Sequence, residues 1–399
     1  MLAEMSHARF VPCTAQTWRD PFGMYAALRD GDPVHHVEDG DYWVLSRFAD
    51  VLAAARDTAT FSSAQGLTFT YDDMRKSGLG DAAPIVMLDP PEHTAFRRLV
   101  SRGFTPRQVS DIEPAVRAFV VDRVERLREA GGGDVIVELF KPLPSMVVAH
   151  YLGVPAEDRH RFDRWTEAIV AANAAGDLLA AEAVADLFGY FSQLIERRRA
   201  EPGEDTISQL VATADGEADV PLLQILGFAF TMVAGGNDTT TGLLGGAAEL
   251  LTARPDQRRR LLDEPSLIPG AVEELLRLTS PVQGLARTTT ADVTIDGTAI
   301  PKGRKVMLLY GSANRDPREF GADAEKLDVG RHPSQILSFS FGAHYCLGAA
   351  AARLQGRVVL EELLARCPGF SVDAERGAFA PGCFVRRYET LPFSAGGAA

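Results

Sequence analysis

Ten consecutive residues carry most of the structural information in this chain: Phe339-Ser340-Phe341-Gly342-Ala343-His344-Tyr345-Cys346-Leu347-Gly348. They place one cysteine in a tight, glycine-bounded loop, and a strongly helical pattern over residues 349–366 follows at once. The free N–H groups and the positive dipole end of that helix favour the thiolate of Cys346 over the thiol. Gly342 and Gly348 let the backbone approach the sulfur, or a flat group beside it, where a Cβ would collide.

The cysteine of this loop has two interpretations. Considered alone, Cys346 would most often be a small buried hydrophobic residue. However, no residue near it in the sequence looks like a second metal ligand. A lone thiolate suits a metal whose other ligands come from a cofactor, which indicates haem.

The segment satisfies the pattern F-x-x-G-x-H-x-C-x-G and therefore resembles the haem-binding loop of the cytochrome P450 family. In that family a Cys thiolate holds the haem iron. The resemblance implies haem b with Cys346 as its axial ligand, and it assigns Phe339, His344 and Gly348 to the cofactor site. It covers nearly the whole chain and is strongest to soluble actinobacterial members, above all mycobacterial ones.

A second group of residues lies in a long helical pattern over 222–252, where the run 234–241 reads Ala-Gly-Gly-Asn-Asp-Thr-Thr-Thr. Each mid-helix glycine costs about 1 kcal/mol relative to Ala. The glycines allow something flat to lie against the helix, and a Thr hydroxyl that bonds back to the backbone can open the helix locally. The alternative is a glycine-mediated helix crossing with Asp238 merely solvated.

This run resembles the P450 motif A/G-G-x-D/E-T. The resemblance implies that Gly235 and Gly236 border the oxygen groove, that Asp238 relays protons and that Thr239 hydrogen-bonds O2. The fold is expected to hold haem between this helix and the helix that follows Cys346.

A third group is a helical pair, Glu274 and Arg277, which lie three residues apart and so share one helix face. An isolated pair of this kind is weak evidence, because exposed pairs contribute only tenths of a kcal/mol. The resemblance identifies it as the P450 E-x-x-R pair and implies that Arg331 joins it in a buried network. The implied role is structural, to hold the cysteine loop.

Haem carries two propionates, and buried carboxylates need cationic or hydrogen-bonding partners. The resemblance assigns this role to His93 and Arg97, four residues apart on one predicted helix, and to Arg287 and His344. Singly, such residues are more often surface groups. Two positions depart from the family pattern: Ser340 replaces a glycine of the loop, and Gly235 replaces the more frequent alanine.

Composition limits the class of protein. The chain has 399 residues, of which 46% are apolar and 24% charged, and its net charge of −13 argues against a nucleic-acid partner. No window reaches the roughly 18 apolar residues of a membrane span, so a soluble, cytoplasmic protein is expected. The four cysteines are scattered without C-x-x-C spacing, which speaks against a zinc site or a disulfide framework: Cys13, Cys346, Cys367 and Cys383.

Helical patterns dominate and strand signals are few. Apolar residues recur at helical spacing over 25–29, 48–56, 96–102, 112–128, 156–175, 180–200, 222–252, 255–263, 268–278 and 347–366. Alternating segments predict strands at 34–37, 42–45, 292–295, 298–300, 305–310, 370–372 and 384–392. Residues 131–133, three glycines, read as a loop. The prediction is a mainly α (α+β) cytochrome P450 fold in a single domain over 1–399.

The function implied by the resemblance is a haem-thiolate monooxygenase that inserts one atom of O2 into a substrate. The alternatives are a peroxygenase driven by H2O2, and a non-catalytic haem- or ligand-binding protein. The sequence has no G-x-G-x-x-G after a strand and no iron–sulfur cysteine set, so a separate ferredoxin and its reductase are expected to supply electrons.

The predicted pocket walls are mostly apolar and favour a hydrophobic small molecule: residues 66–71, 85–88, 165–173, 230–235, 282–286 and 383–385. A ferredoxin is expected to dock on the Cys346 side of the haem. The candidate contacts are arginines on two predicted helices, which could instead be solvated or paired within the chain: Arg98, Arg102, Arg353 and Arg357.

Overall fold

The computed structural model describes residues 9–71, 83–162, 164, 165, 168, 179–214 and 221–396. Helices make up most of these ranges. They are α1 (Phe22–Gly31), α2 (Phe48–Arg56), α3 (Glu92–Val100), α4 (Pro106–Asp111), α5 (Glu113–Glu129), α6 (Pro142–Tyr151), α7 (Leu179–Ala200), α8 (Thr206–Ala214), α9 (Leu222–Ala253), α10 (Pro255–Asp263), α11 (Ile268–Thr279), α12 (Tyr310–Ala313), α13 (Pro317–Phe320) and α14 (Ala349–Arg366).

The strands are short. They are β1 (Val34–Val37), β2 (Tyr42–Leu45), β3 (Phe61–Ser62), β4 (Gly132–Asp134), β5 (Leu285–Thr289), β6 (Val293–Ile295), β7 (Thr298–Ile300), β8 (Lys305–Leu308), β9 (Ser371–Val372), β10 (Ala378–Phe379), β11 (Tyr388–Thr390) and β12 (Pro392–Ser394).

The strands form one main sheet and three small ones. The main sheet has the order β1-β2-β8-β5-β3, with β2 and β8 parallel and the other neighbours antiparallel. The small sheets are β4-β12-β9, β10-β11 and β6-β7. Asp296 and Gly297 join β6 to β7 with φ of 46° and 79°, as a tight hairpin of this type requires.

Helix α9 lies at the centre of the helical part because it is apolar on nearly every side. Leu243, Leu244 and Leu251 are buried in one core cluster with residues of α5, α11 and α14. Its N-terminal half belongs to a second cluster, in which Phe228 and Val233 pack with residues of α6 and α7. One long helix therefore joins both halves of the core and runs past the segment that contains Cys346.

The main features of the predicted architecture are confirmed. The segments predicted as α2, α10, β1, β2 and β7 have the observed bounds, and most other elements differ by a few residues. Much of the helix predicted over 156–175 falls outside the described residues. Within the described ranges, no helix has the length and apolarity needed to cross a membrane.

Several elements were not predicted, among them α4, α6, α8, α13, β3, β5 and β10, and one segment was predicted wrongly. Helix α6 begins with Pro142 and includes Pro144. Two prolines so close together argue against a helix in a sequence pattern, although the first turn of a helix tolerates proline. Helix α8 was also missed. The prediction of a loop over 131–133 was wrong, since residues 132–134 form β4 and pair with β12 near the other end of the chain. Such a pairing leaves no local signal.

Candidate active site

The cysteine loop lies immediately before α14. The backbone N–H of Cys346 donates to the carbonyl oxygen of Phe339 at 2.9 Å, which closes the loop around a short 3₁₀ turn, Gly342–His344. Gly342 has a φ of 70°, and a Cβ there would lie 3.2 Å from the carbonyl oxygen of Ala55. Glycine is thus required at this position both for backbone conformation and for close packing on α2.

Ser340 shares the unusual backbone conformation of this loop. Its φ is 58°, which costs about 1–2 kcal/mol for a residue with a Cβ. Its hydroxyl accepts a hydrogen bond from the Tyr310 hydroxyl at 3.2 Å. The serine that replaces the family's glycine is therefore strained in its backbone and held in place by its side chain.

The electrostatics of Cys346 differ in net effect from the sequence-based expectation. The side chain is exposed on one side, but protein atoms crowd the rest of it, and this burial raises the pKa of the thiol. The N–H of Gly348 and the charges of Arg97 and Arg353 lower the pKa without offsetting burial. The N–H at the helix end therefore acts in the expected direction but is outweighed by burial, and a bound metal cation would favour deprotonation.

Helix α9 has an open position at one of its two adjacent glycines. A Cβ added at Gly235 would meet nothing within 4 Å, and the same holds at Gly348. Gly236 differs, because a Cβ there would lie 2.6 Å from Val148. Gly236 therefore allows α9 to pack closely on Val148 of α6. Gly235 and Gly348, by contrast, each lie beside open space.

Thr239 lies one turn after Gly235 and donates its hydroxyl to the Gly235 carbonyl oxygen at 2.9 Å. Helix α9 is continuous from Leu222 to Ala253. The suggestion that a threonine opens the helix locally is therefore wrong for this structure. The hydroxyl shares a carbonyl that already accepts within the helix and does not displace that bond.

Asp238 is buried on another side of α9 and forms an ion pair. Its Oδ1 lies 3.0 Å from Nε of Arg387, and each side chain is only 12% exposed. Burial raises the pKa of Asp238, whereas the charges of Arg387 and Lys141 lower it. The alternative in which Asp238 is merely solvated is contradicted by this environment.

Four basic side chains come together beside the loop. The rings of His93 and His344 lie 4.3 Å apart, and Nε2 of His344 lies 3.2 Å from the Ser63 hydroxyl. Burial first, and then the charges of Arg287, His93 and Arg97, lowers the pKa of His344 to about 3. Arg97 donates to the carbonyl oxygen of Tyr345, the residue before Cys346.

The two arginines of this basic cluster have no carboxylate partner among the described residues, and the charge of Asp89 acts on His93. Among the residues described, neither Arg97 nor Arg287 forms an ion pair, and Nδ1 of His93 is buried without a hydrogen-bond partner. Buried positive groups without a carboxylate partner fit a ligand that brings its own acid groups. A flat, metal-containing dianion such as haem fits the open glycines, the thiol and these bases together.

The predicted structural pair is fully buried. Glu274 accepts from Arg277 at 2.7 and 2.8 Å, and both side chains are 0% exposed. Nε of Arg331 lies 3.2 Å from Oε1 of the same glutamate. The structure therefore brings together all three residues of the predicted network.

Sequence reasoning missed how this network reaches the loop. Arg277 donates to the carbonyl oxygen of Asn314 at 2.6 Å, and Oδ1 of Asn314 accepts from the backbone N–H of Leu337 at 2.7 Å. The Asn314 amide also donates to the Ser338 hydroxyl at 3.0 Å. The run 313–317, Ala-Asn-Arg-Asp-Pro, is typical of bacterial P450s and was the available signal.

Several predicted pocket walls lie next to one another. Residues 66–71 meet residues 282–286 where Ala286 donates to the Leu67 carbonyl oxygen at 2.7 Å. Val282 bridges to Val385, and the rings of Phe69 and Phe384 lie 5.3 Å apart. A further set packs against one core cluster beside Leu347: Val86, Leu88, Phe230, Met232 and Ala234. Of residues 165–173, only 165 and 168 are among those described.

The arginines suggested for docking divide into two groups. Arg353 donates to Glu273 at 3.0 Å, and Arg357 donates to Glu113 at 2.6 Å. Arg98 and Arg102 are exposed, and neither forms an ion pair with a described residue. The alternative of pairing within the chain therefore holds for Arg353 and Arg357.

Comparison with known proteins agrees with this geometry. The model of the cytochrome P450 family matches residues 41–376. The chain belongs to the cytochrome P450 family and is a P450 monooxygenase, whose haem is held by a cysteine thiolate.

Individual relatives cover almost all of the chain. "Cytochrome P450 130" of Mycobacterium tuberculosis is 62% identical over 98% of this chain and 99% of its own length. The vitamin D(3) 25-hydroxylase of Pseudonocardia autotrophica is 36% identical over 95% and 94%. A crystal structure of CYP109E1 from Bacillus megaterium in complex with testosterone superposes with a TM-score of 0.83, at 30% identity, over 94% and 99%.

Proposed function

We propose that this protein hydroxylates or oxidatively dealkylates a hydrophobic small molecule, using O2 and electrons from a separate ferredoxin. The reaction is substrate-H + O2 + two electrons + two protons giving substrate-OH + water. The proposal is supported by the exposed Cys346 sulfur beside a basic cluster whose arginines form no ion pair with a described residue, and by the open position at Gly235 on α9.

The cofactor we propose is haem b. Cys346 would hold its iron, and His93, Arg97, Arg287 and His344 would bind its propionates. Haem supplies the activation of O2 when it is bound. Phe339 and Gly348 shape the loop around the sulfur, since Phe339 accepts the Cys346 N–H and Gly348 leaves room beside it.

Two side chains of α9 handle protons in this proposal. Asp238 has a raised pKa because it is buried, which allows it to hold a proton nearer neutral pH than a solvated carboxylate would. Thr239 holds its hydroxyl one turn from Gly235, on the open side of the helix. Protons would pass from Asp238 toward the hydroxyl of Thr239, and Thr239 would present them at the reacting oxygen.

Glu274, Arg277 and Arg331 have a structural role in this account. Their buried network reaches residues 337 and 338 through Asn314, so it fixes the strand of chain that enters the cysteine loop. Precise placement of a ligand requires such support from residues that do no chemistry.

A hydrophobic substrate is supported by the apolar walls and by two relatives. One is named as a hydroxylase of vitamin D(3), and the structure of another contains testosterone. The walls that meet here include Phe69, Val86, Leu88, Phe230 and Phe384. Such a lining binds apolar surface favourably and supplies few groups that could bind a charged substrate.

The electron donor we propose is a ferredoxin that docks near Arg98 and Arg102, which are exposed beside the α3 residue Arg97. Exposed arginines that form no ion pair with a described residue can steer an acidic partner on an otherwise acidic protein.

We further propose one domain over residues 1–399 and a cytoplasmic location. The shared core of α9 supports the first, and the four unpaired cysteines support the second.

The test is a spin-state titration with the haem-loaded protein. Steroids, fatty acids and macrolides are added in turn, and the low- to high-spin change of the haem spectrum is recorded. A hit should then be turned over with ferredoxin, reductase and O2, giving a product that carries one oxygen atom from 18O2. Turnover by H2O2 alone at an equal rate would instead favour a peroxygenase.

A further inference from the structure

Arg387 pairs with the buried acid Asp238 and closely follows a segment of the predicted pocket wall. It stands immediately before β11, and its Nε is 3.0 Å from Oδ1 of Asp238 on α9. Because both side chains are 12% exposed, salt and water screen this attraction less than they screen a surface pair. The charge on Asp238 is therefore sensitive to small movements of Arg387.

The segment before Arg387 rests directly on the same helix. Gly242 lies one turn after Asp238, and a Cβ there would come 2.7 Å from the carbonyl oxygen of Arg386. The Arg386 N–H donates to the Pro281 carbonyl oxygen at 2.8 Å. Glycine at 242 thus permits the close seating that brings Arg387 to Asp238.

The same segment also forms the pocket wall. Phe384 accepts from the Gln283 N–H at 2.8 Å, and its ring lies 5.3 Å from that of Phe69. Val385 bridges to Val282. Three residues of extended chain span only about 10 Å, so Phe384 and Arg387 are linked over a short, well-anchored distance.

We infer that Arg387 is a positioning residue for proton delivery, through which the pocket-wall segment 384–387 adjusts the charge of Asp238 to the occupancy of the pocket. This inference rests on the proposed role of Asp238. A substrate that pushes Phe384 or Val385 outward withdraws the guanidinium from Asp238, and the carboxyl then retains its proton more strongly. Return of the segment favours release of that proton.

The charges that face Asp238 make the expected direction clear. Burial raises the pKa of Asp238, and Arg387 and then Lys141, the residue before α6, lower it. Removal of the Arg387 charge therefore leaves burial opposed only by Lys141. The pKa of Asp238 rises in such a variant, and its carboxyl takes up a proton at a higher pH than in the unmodified protein.

The test reads the carboxyl directly. Infrared difference spectra of the ferric, haem-loaded protein are recorded against pH, and the C=O band lost in Asp238→Asn is assigned to Asp238. In Arg387→Gln the midpoint of this band should rise by about 1–3 pH units, the usual effect of one close opposite charge. Arg387→Lys keeps a positive charge, so its midpoint should lie close to that of the unmodified protein. Arg376→Gln changes an exposed arginine and should leave the midpoint unchanged.

Two further outcomes decide the inference. Phe384→Ala alters the wall without altering charge and should also move the midpoint, whereas an unchanged midpoint would remove the link to the pocket. An identical titration in Arg387→Gln and the unmodified protein would overturn the inference altogether. If Arg387→Gln does not fold, Phe384→Ala still decides it, since a midpoint equal to that of the unmodified protein would contradict the inference. The resting protein is measured without donor or substrate, so failure here is distinct from failure of the proposed oxygenation.

Discussion

Arg277 is joined to the cysteine loop through Asn314: its guanidinium donates to the Asn314 carbonyl oxygen at 2.6 Å, and the Asn314 side chain holds residues 337 and 338. The buried pair of Glu274 and Arg277 is therefore the far end of a chain of hydrogen bonds that ends beside Phe339. Loss of the pair should be felt at the cofactor site, although neither residue lies in the loop.

Glu274→Ala should fold poorly and contain little haem. Removal of one partner of a buried ion pair leaves an uncompensated charge and costs about 3–5 kcal/mol. The free energy of unfolding in urea and the haem content per chain are the measurements. Glu196→Ala is the matched control, because it breaks an exposed pair with Arg199 and should change neither. A stable, haem-replete Glu274→Ala protein would contradict the structural role.

Ser340→Gly should be more stable than Ser340→Ala by about 1 kcal/mol. Both variants lose the hydrogen bond from Tyr310, so their difference isolates the cost of a Cβ at a φ of 58°. Thermal or urea unfolding of the two proteins gives the comparison. Equal stability would mean that the loop relaxes out of its left-handed conformation when the serine is replaced.

The sequence predicted local features well and distant contacts poorly. The cysteine loop, the glycines of α9 and the Glu274–Arg277 spacing are local patterns, and each was visible without a structure. Arg387 was not recognised, because its partner Asp238 lies far away in the sequence and nothing local marks an arginine as a carboxylate partner. The pKa of Cys346 also depends on burial by surrounding atoms, which outweighs the effect of the helix end and could not be seen in the sequence.

Thr239→Ala should still bind haem and substrate and consume reductant, but it should release H2O2 in place of hydroxylated product. The ratio of product to reductant consumed should fall by about tenfold or more, because a positioned proton donor is lost. Thr239→Ser keeps a hydroxyl at the same helix position and should retain most of the coupling. Full coupling in Thr239→Ala would remove the role proposed for this side chain.

Arg98→Glu with Arg102→Glu should slow reduction by an acidic ferredoxin at low salt and leave reduction by dithionite unchanged. Steering by exposed charges acts on the association rate, so the difference should shrink as salt is added. Stopped-flow reduction is the measurement, and Arg107→Glu, at another exposed arginine, is the control. An equally fast reaction in the double variant would place the docking face elsewhere.

Cys346 as the axial ligand is the central claim, and the spectrum of the reduced, CO-bound protein tests it most directly. The unmodified protein should show the absorption band typical of thiolate-ligated haem. Cys346→Ser should lose that band, whereas Cys13→Ser, Cys367→Ser and Cys383→Ser should retain it, since these thiols lie outside the loop. Retention of the band in Cys346→Ser, together with its loss in one of the other three variants, would contradict the account.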